Sequence, residues 1–436
     1  MFIMLIIKRR KESSMKINAN HFGFSSANTG AENSRILNEL LDQHNHVEIT
    51  EPGEYPLRDT ILIGSNSSLT FADGVIISRE QPEGGNSYLI TNKGAYSRTF
   101  DANISITGMH LVCNGVESYM PPAEDSCNRQ IPGLRGHLSF FYIKNLTIRD
   151  FTALDLPPKS FGIQVCTFEN LIVENTHIEG RKDAVHLDTG KNFVIRNGFF
   201  KTFDDPIALN AHDYSSANPQ LGCIENGLIE NCYDYNDEDT TGYFCRILAG
   251  SWCDWYEGMQ IQNSDTVIHN GRLYRALMNP DGNFFTSLTP PTHAAGTEIQ
   301  DGISWVHVQD EVCYDCGCRN ITFKDIFIEK NRPVAFSIHF DHDKYSRSVY
   351  PGSKAPVQEN IKFENVQVSG KVSNFLHATT SFTEFEVSNS NLGGGSIVLG
   401  ALQDVESYAV SRMKFVNTHL PEIRVSPRRK AEIYVN

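Results

Sequence analysis

The stretch "KTFDDPIALNAHD" (Lys201 to Asp213) sets two acids, Asp204 and Asp205, side by side at the start of an apolar run. A third acid, Asp183, precedes Asp204 by 21 residues. Carboxyl groups held close together have pKa values that move apart, so one can remain protonated while its neighbours stay ionised. A protonated acid beside an ionised base is what hydrolysis of a glycosidic bond requires. Asp183, Asp204 and Asp205 are therefore the candidate catalytic residues.

The structural alternative is that the Asp-Asp pair simply begins a strand, since Asp is common in turns. The two interpretations differ in whether Asp183 lies beside the pair in the fold. That depends on the elements that carry the three acids.

The chain repeats a short phrase that opens with Asn and then alternates apolar and polar residues. Alternation with a period of two predicts β-strands, and Asn or Gly at their ends supplies the turns. The spacings from Asn145 to Asn170 and from Asn170 to Asn192 are 25 and 22 residues. The phrases are "NISITGMHL" from Asn103, "NLTIRDFTA" from Asn145, "NLIVENTHI" from Asn170, "NFVIRNGFF" from Asn192, "NGLIENCYD" from Asn226, "NITFKDIFI" from Asn320 and "NIKFENVQV" from Asn360.

A second short strand is predicted between the phrases. A repeat of this length predicts an all-β fold, a right-handed parallel β-helix, whose coils stack about 4.8 Å apart. Asp183 then falls one coil before Asp204, and we expect the two acids on neighbouring strands of one sheet. The second strands are "FGIQV" (161–165), "AVHLD" (184–188), "PIALN" (206–210), "FCRIL" (244–248) and "VAFSI" (334–338).

The pattern also predicts how the chain is divided. Residues 23–255 hold a cap and the first coils, the cap being an amphipathic helix from about Glu32, a strand at 47–49 and a Pro-Gly turn. Residues 256–310 interrupt the coils and are predicted to form a small inserted β module, after which 311–436 resume them. Residues 1–22 are expected to be an N-terminal extension, with Met15 as the true start.

The motifs "RKDAVHLD" and "FDDPIALN" resemble those of glycoside hydrolase family 28, the polygalacturonases and their relatives in the pectin-lyase-like β-helix superfamily. That family carries Asn-Thr-Asp, then Asp-Asp about one coil later, then Gly-His-Gly and Arg-Ile-Lys. The resemblance implies that Asp204 is the general acid, that Asp183 and Asp205 activate water, and that the displacement is inverting. No organic cofactor is implied, and no metal is assigned.

The chain departs from the family motifs at three places. Arg181-Lys182 replaces Asn-Thr, no Gly-His-Gly follows the Asp-Asp pair, and "CRILAGSW" keeps Arg246 but has Leu248 in place of Lys. In the family the Arg and the Lys grip a uronate carboxylate, so the charge of the sugar stays open.

The predicted module carries a resemblance of its own. The segment "WYEGMQIQNSDTVIHNGRLYRAL" resembles small carbohydrate-binding modules found beside chitinases, and also modules of phage tail proteins. A structural elaboration that shapes the wall of the cleft is the alternative.

Several further residues are candidates for binding substrate. The period of two places His186 and Asp188 on one strand face, which is either the cleft or a solvated outer face, and Val185 and Leu187 on the inner face. Arg246 lies in an apolar strand and needs a partner, which is either the acids or a substrate oxygen.

The remaining candidates each have a structural alternative. His212 and Asp213 stand either at the cleft rim or at the start of a loop. Trp252 and Trp255 are sugar-stacking platforms or ordinary buried aromatics. His339, with Asp341 and Asp343, belongs to a far subsite, a metal site or a solvated strand edge.

Cysteine usage is also informative. Ten cysteines without a compact spacing are expected to be reduced and mostly buried. Cys313, Cys316 and Cys318 in "CYDCGC" offer three thiolates for a metal, but no clear fourth ligand follows.

Charge and hydropathy exclude some functions. A net charge of −14 over 436 residues argues against nucleic acid or an anionic membrane as the main partner. No apolar run reaches the roughly 18 residues of a membrane span. The N-terminus has its basic residues after the apolar ones, which is not the order of a signal peptide, so a cytoplasmic location is the default and a secreted or periplasmic one stays open.

The sequence therefore predicts a glycoside hydrolase acting on a poly- or oligosaccharide. A polysaccharide lyase of the same fold and a non-catalytic carbohydrate-binding or tail-fibre-like protein are the alternatives. The compartment and the oligomeric state stay open.

Overall fold

The predicted right-handed parallel β-helix is confirmed by the computed structural model. The structure describes residues 16–83, 85, 87–118, 131–235, 240–339, 347–402, 405 and 407–436. Within these ranges, 26 strands form one continuous sheet that wraps around a hydrophobic core. The proposed start at Met15 lies outside the described residues.

One face of the solenoid, called the cleft face below, is built from the short strands predicted between the Asn phrases. Each strand pairs in parallel with its equivalent in the next coil, as 185–187 pairs with 207–209. The cleft-face strands are Ile61–Ile63, Ile90–Asn92, Val185–Leu187, Ile207–Asn210, Cys245–Leu248, Arg332–His339, Val372–Ala378, Ser396–Leu399 and Ile423–Val425.

Two further faces complete each coil. The second face includes Ile17–Asn18, His46–Ile49, Ser68–Phe71, Asp101–Thr107, Glu384–Ser388, Ser411–Val416 and Ala431–Val435, and the third includes Gly53–Leu57, Val75–Arg79 and His110–Val112. Long strands bend from one face to another. These are Gly136–Leu156, Phe161–Gly180, Gly190–Thr202, Ile224–Asp234, Cys318–Ile328 and Val357–Val368, with Ser381–Phe382 pairing beside the last.

The Asn that opens each phrase stands at a bend and explains why the phrase repeats. Asn145, Asn170 and Asn192 have φ of 54°, 63° and 61°, a left-handed conformation that Asn tolerates better than most residues. Their side chains form a ladder, because Asn170 Nδ2 donates to Asn145 Oδ1 at 2.9 Å and Asn192 Nδ2 donates to Asn170 Oδ1 at 3.2 Å. Asn therefore satisfies both the bend and the contact between coils.

The N-terminal end is covered by a helix, Gly30–Gln43, as predicted. Thr29 caps it by accepting a hydrogen bond from the backbone N–H of Glu32. The strand Ile17–Asn18 pairs with 47–48, so the solenoid begins before residue 23. Two short 3-10 helices, Ala19–Phe22 and Lys93–Ala95, complete the helical residues of the described chain.

The interruption after residue 252 forms a five-stranded sheet and a two-stranded sheet of its own, with a separate core around Tyr274 and Trp305. Arg347, in the loop before the solenoid strand Val357–Val368, contacts the module, since its guanidinium donates to Asp265 Oδ1 at 2.8 Å. The module strands are Cys253–Asp254, Met259–Ile261, Thr266–His269, Arg272–Ala276, Phe285–Ser287, Thr297–Gln300 and Ile303–Gln309, flanked by the pair Gly250–Ser251 and Asp315–Cys316.

The helices of the described residues differ from membrane spans in length or polarity. Each of them is too short or too polar to cross a bilayer.

Candidate active site

The turn that leads from the third face into the cleft face carries the candidate acids. The strands on both sides of this turn fix its alignment with the next coil. Gly180 is level with Thr202 before the turn, and Val185 is level with Ile207 after it. The offset between these coils is therefore 22 residues, whereas the predicted alignment of the acids used 21.

The one-residue correction changes which side chains are stacked. At an offset of 22, Asp183 is level with Asp205, and Lys182 is level with Asp204. The backbone agrees, since the N–H of Ala184 donates to the carbonyl oxygen of Asp205 at 3.1 Å. The three acids thus lie close together, as expected. In the stacking of the two coils, however, Asp204 is level with Lys182 and not with Asp183.

The three carboxylates converge on one point. One oxygen from each of Asp183, Asp204 and Asp205 lies within 4.8 Å of the others. Their exposure differs, because the Asp204 side chain is 23% exposed whereas Asp183 and Asp205 are 3% and 1% exposed. Asp204 is the acid that a large substrate can touch, and the other two lie behind it.

Asp183 is held as a carboxylate. Its Oδ2 accepts a hydrogen bond from His186 Nδ1 at 2.9 Å, and its Oδ1 lies 3.5 Å from the Lys182 ammonium. Burial raises the pKa of Asp183, but Lys182 and His186 outweigh burial and bring the pKa below its ordinary value. Asp183 therefore suits the role of a base.

Asp204 and Asp205 are shifted the opposite way. Burial, followed by the negative charges of Asp204 and Asp183, raises the pKa of Asp205 well above its ordinary value. Burial and the charge of Asp183 also raise the pKa of Asp204, although the Lys182 ammonium contacts Asp204 Oδ2 and opposes the rise. Asp204 and Asp205 are consequently protonated more readily than Asp183.

His186 lies fully buried between two acids. Besides its hydrogen bond to Asp183, its Nε2 is 3.4 Å from Asp188 Oδ1, and its ring stacks on Phe161 with centroids 4.0 Å apart. Burial lowers the pKa of His186, but the two carboxylates outweigh burial and raise the pKa to about 9. The imidazole is therefore charged at neutral pH and fixes Asp183 in place.

Asp188, the second carboxylate beside His186, is also fully buried. It accepts hydrogen bonds from Gln164 Nε2 at 3.0 Å and from Asn218 Nδ2 at 2.8 Å. His186 and Asp188 were predicted on a cleft or solvated face, whereas the structure covers both. Their contribution to the site is through Asp183, without contact to a ligand.

Arg246 lies on the cleft-face strand Cys245–Leu248, level with Ala208 of the preceding coil. Its Nη2 is 3.5 Å from Asp213 Oδ1, and its side chain is 14% exposed. Its charge also lowers the pKa values of the three clustered acids, although it is not the largest cause for any of them. The structure therefore brings Arg246 and Asp213 to the edge of the cluster.

His212, which precedes Asp213 in the chain, packs against Trp252. Both are buried, with ring centroids 5.8 Å apart. Trp252 belongs to the main core and donates from Nε1 to the Cys313 carbonyl at 2.5 Å, so it offers no face for a sugar. Gly250 allows this packing, because a Cβ there would lie 2.5 Å from the His212 ring.

The remaining candidates lie on a later coil and in the module. His339 is half-buried on the coil after Arg246, with its ring 5.8 Å from that of Tyr243. Trp255 belongs to the module, where its Nε1 donates to Ser287 Oγ at 2.8 Å. Asp341 and Asp343 lie outside the described residues.

Two site residues were not singled out from the sequence. In the sequence, Lys182 is only a departure from a family motif. The offset of 22 residues between Val185 and Ile207 would have placed Lys182 beside Asp204. Arg275 of the module is buried and donates to the Asn218 carbonyl at 3.0 Å. Burial lowers the pKa of Arg275 to about 10, against the charges of Asp213 and Asp188, so the module contributes a cation close to the site.

The three acids could in principle offer ligands to a metal ion. Among the described residues, the three acids are the group of His, Cys, Asp and Glu side chains whose ligand atoms converge. Lys182 already supplies a positive charge to two of them, so we describe an ion-pair cluster and assign no metal. The described cysteines, Cys313, Cys316 and Cys318 included, are free thiols.

The fold and the cluster define the class, a right-handed parallel β-helix with a cluster of three acids at one face. In comparison with known proteins, no family model matches the chain, and no curated protein matches it by sequence. The chain is similar in structure to a family 28 exopolygalacturonase of Yersinia enterocolitica, with a TM-score of 0.54 and 14% identity, covering 97% of this chain and 78% of that chain.

Other similar structures are more distant. A surface adhesin of Streptococcus pneumoniae matches with a TM-score of 0.43 and 12% identity, covering 97% of this chain and 100% of that chain. An exopolygalacturonase of Thermotoga maritima matches with a TM-score of 0.42 and 10% identity, covering 97% and 92%. At 14% identity the likeness to the Yersinia enterocolitica structure establishes the fold alone.

Proposed function

We propose that the protein is a glycoside hydrolase that cleaves a glycosidic bond in a poly- or oligosaccharide with inversion. The observation that carries the proposal is that the pKa values of neighbouring acids in one cluster are shifted in opposite directions. Asp183 is held ionised by Lys182 and His186, while burial favours the protonated forms of Asp204 and Asp205. Acid and base thus stand side by side, as this reaction requires.

In this proposal Asp204 is the general acid, because it is the exposed member of the cluster. It donates a proton to the departing glycosidic oxygen as the bond to the anomeric carbon breaks. A water molecule beside Asp183 gives its proton to that carboxylate and attacks the anomeric carbon. Asp205 holds a further proton behind the pair and keeps the cluster from carrying three negative charges.

Inversion is supported by burial. A retaining enzyme needs a carboxylate that itself reaches the anomeric carbon. Asp183 and Asp205 are too deeply buried to do so, whereas a water molecule is small enough to reach them. The spacing alone would not suggest inversion, since the oxygens lie within 4.8 Å and most inverting enzymes separate the two groups by about 6.5 to 9.5 Å.

A polysaccharide lyase is the alternative that one observation favours, since a lyase needs a base such as Lys and Lys182 lies beside the acids. A lyase base must be neutral to abstract a proton. Burial lowers the pKa of Lys182, but the charges of Asp183 and Asp204 outweigh it and raise the pKa above its ordinary value, so the ammonium stays protonated. Hydrolysis is therefore the better fit.

The test is a reducing-end assay over a panel of neutral and uronic glycans, with absorbance recorded for unsaturated products. New reducing ends without unsaturation are expected from the parent protein and not from Asp204→Asn. Unsaturated products would favour the lyase. Binding of a glycan without any turnover would instead favour a non-catalytic carbohydrate-binding protein.

A further inference from the structure

Lys182 transfers no proton in the reaction proposed above, but it lies between the two acids that do. Its Nζ is 3.5 Å from Asp183 Oδ1 and contacts Asp204 Oδ2, so one ammonium joins the proposed base to the proposed acid. Its side chain is 15% exposed, and salt therefore screens these contacts less than those of a surface pair.

Two features hold the ammonium there. The offset of 22 residues sets Lys182 level with Asp204, about one strand spacing away. The ammonium also lies 5.6 Å from the ring centroid of Phe161, the same ring on which His186 stacks. The position of Lys182 is thus set by the coil register and by packing.

The Lys182 ammonium compensates a buried oxygen of Asp183. Its Oδ2 is taken by His186, whereas its Oδ1 is buried and makes no hydrogen bond to another described residue. A buried carboxylate oxygen without a hydrogen bond is costly. The Lys182 charge at 3.5 Å offsets that cost, so both oxygens of Asp183 depend on a cation from the same turn or strand.

We propose that Lys182 is a positioning residue that fixes the protonation of the two acids it joins. With the ammonium in place, Asp183 stays ionised as the base, and Asp204 is a stronger acid because its conjugate base is paired at once after proton transfer. The kinetic part of this inference rests on the proposed function, and the titration part does not. Other charged or titratable groups that face the cluster are Arg135, His186, Asp205, Tyr214 and Arg246.

The test compares Lys182→Met, which keeps much of the side-chain length and removes the charge, with Lys182→Arg, which keeps the charge. The carboxyl carbons of aspartate are labelled with carbon-13, and the Asp204 signal is assigned by its loss in Asp204→Asn. An opposite charge at this distance shifts a carboxylate by about 1 to 3 pH units. We therefore expect the Asp204 midpoint to rise by at least about one pH unit in Lys182→Met and to stay near the parent's in Lys182→Arg.

Melting temperature measured from pH 4 to pH 8 is the second arm, and it does not need a resolved signal. The gap between parent and Lys182→Met is expected to be widest at pH 8 and to narrow toward pH 4, where the variant's carboxylates are protonated. A gap that is the same at every pH, or an unmoved Asp204 midpoint, would mean that Lys182 only packs.

The kinetic arm uses any glycan that the parent hydrolyses. Because the loss of the charge raises the midpoints of both acid and base, the whole profile of kcat/KM against pH should move to higher pH in Lys182→Met, and Lys182→Arg should restore its position. A lowered rate without such a move would overturn the positioning role. If the parent hydrolyses no glycan, the proposed function fails, while the titration still decides the role of Lys182.

Discussion

The imidazole of His186 joins Asp183 to Asp188, with Nδ1 2.9 Å from one carboxylate and Nε2 3.4 Å from the other. The arrangement is fully buried and raises the pKa of His186 to about 9. The ordinary value of about 6.5 applies to the unfolded chain. The stabilisation from the charged imidazole is therefore complete below about pH 6.5 and is lost as the pH rises through about 9.

We predict that His186→Gln lowers the free energy of unfolding most at pH 6, by an amount on the order of 3 kcal/mol. Urea denaturation at pH 6 and at a pH above 9 measures the difference, which should shrink at the higher pH. His177→Gln is the control, because His177 pairs with Glu179 on the half-exposed outer surface. Equal losses at both pH values would contradict a charged His186 in the folded state.

The fold could be predicted from the sequence because Asn occupies the same bend in successive coils. Asn145, Asn170 and Asn192 each occupy a left-handed bend and bond to the preceding coil, so the Asn spacing reported the coil length. The inward side chains Val185 and Leu187 are buried as their alternation predicted. These features are local and periodic, which is why the sequence displayed them.

Less of the site than of the fold could be predicted from the sequence. Counting from Asp183 to Asp204 gave 21 residues, although the predicted strands 184–188 and 206–210 are 22 residues apart, and the paired strands on both sides of the turn establish 22. The burial of His186 and Asp188 depends on distant residues such as Asn218, which no local pattern reveals. Arg275 comes from an insertion whose packing on the solenoid leaves no periodic signal.

Removal of the proposed general acid should abolish turnover without unfolding the protein. Asp204→Asn keeps the shape of the side chain and removes the proton donor, so kcat should fall by about 10² to 10⁴. The melting temperature should stay close to the parent's, since one of three crowded acids is neutralised. Asp73→Asn, at an exposed turn of the N-terminal coils, is the control. Near-normal activity in Asp204→Asn would remove Asp204 from the mechanism.

The stereochemistry of the product tests the role of the buried acids. If water attacks from beside Asp183, the first-formed sugar carries the inverted anomeric configuration. Proton NMR recorded within the first turnovers, before mutarotation, distinguishes the two anomers. A retained anomer would require a carboxylate that reaches the anomeric carbon, which the burial of Asp183 and Asp205 does not allow without movement of the turn.

Trp252 should act on stability and not on binding. It is 2% exposed and packs in the main core against His212, so Trp252→Ala should cost about 3 to 5 kcal/mol. Thermal or chemical unfolding measures this cost, and KM of the folded fraction should be unchanged. Trp255→Ala, in the half-buried part of the module, should cost less. A raised KM with little loss of stability would restore Trp252 as a sugar platform.

Arg246 is the residue whose binding and structural roles can be separated by a matched pair of variants. Its partner Asp213 is also held by Asn210 Nδ2 at 2.6 Å and by the backbone N–H of Tyr214 at 2.7 Å, so Asp213 keeps two hydrogen bonds when Arg246 is removed. Arg246→Gln should therefore lower the melting temperature only slightly. A guanidinium at the edge of the cluster can fork to a carboxylate or to two hydroxyls of a sugar, so its loss should raise KM or lower kcat/KM.

Arg332→Gln is the matched control for Arg246→Gln. Arg332 is fully buried on a later cleft-face strand and forms a two-pronged pair with Asp234, with Nε to Oδ2 at 2.7 Å and Nη2 to Oδ1 at 3.0 Å. Its removal leaves a buried carboxylate without its cation, at a cost of about 3 to 5 kcal/mol, but should leave KM of the folded fraction unchanged. If Arg246→Gln instead behaved like Arg332→Gln, with a large loss of stability and normal kinetics, Arg246 would be a structural partner of Asp213 and not a group that binds substrate.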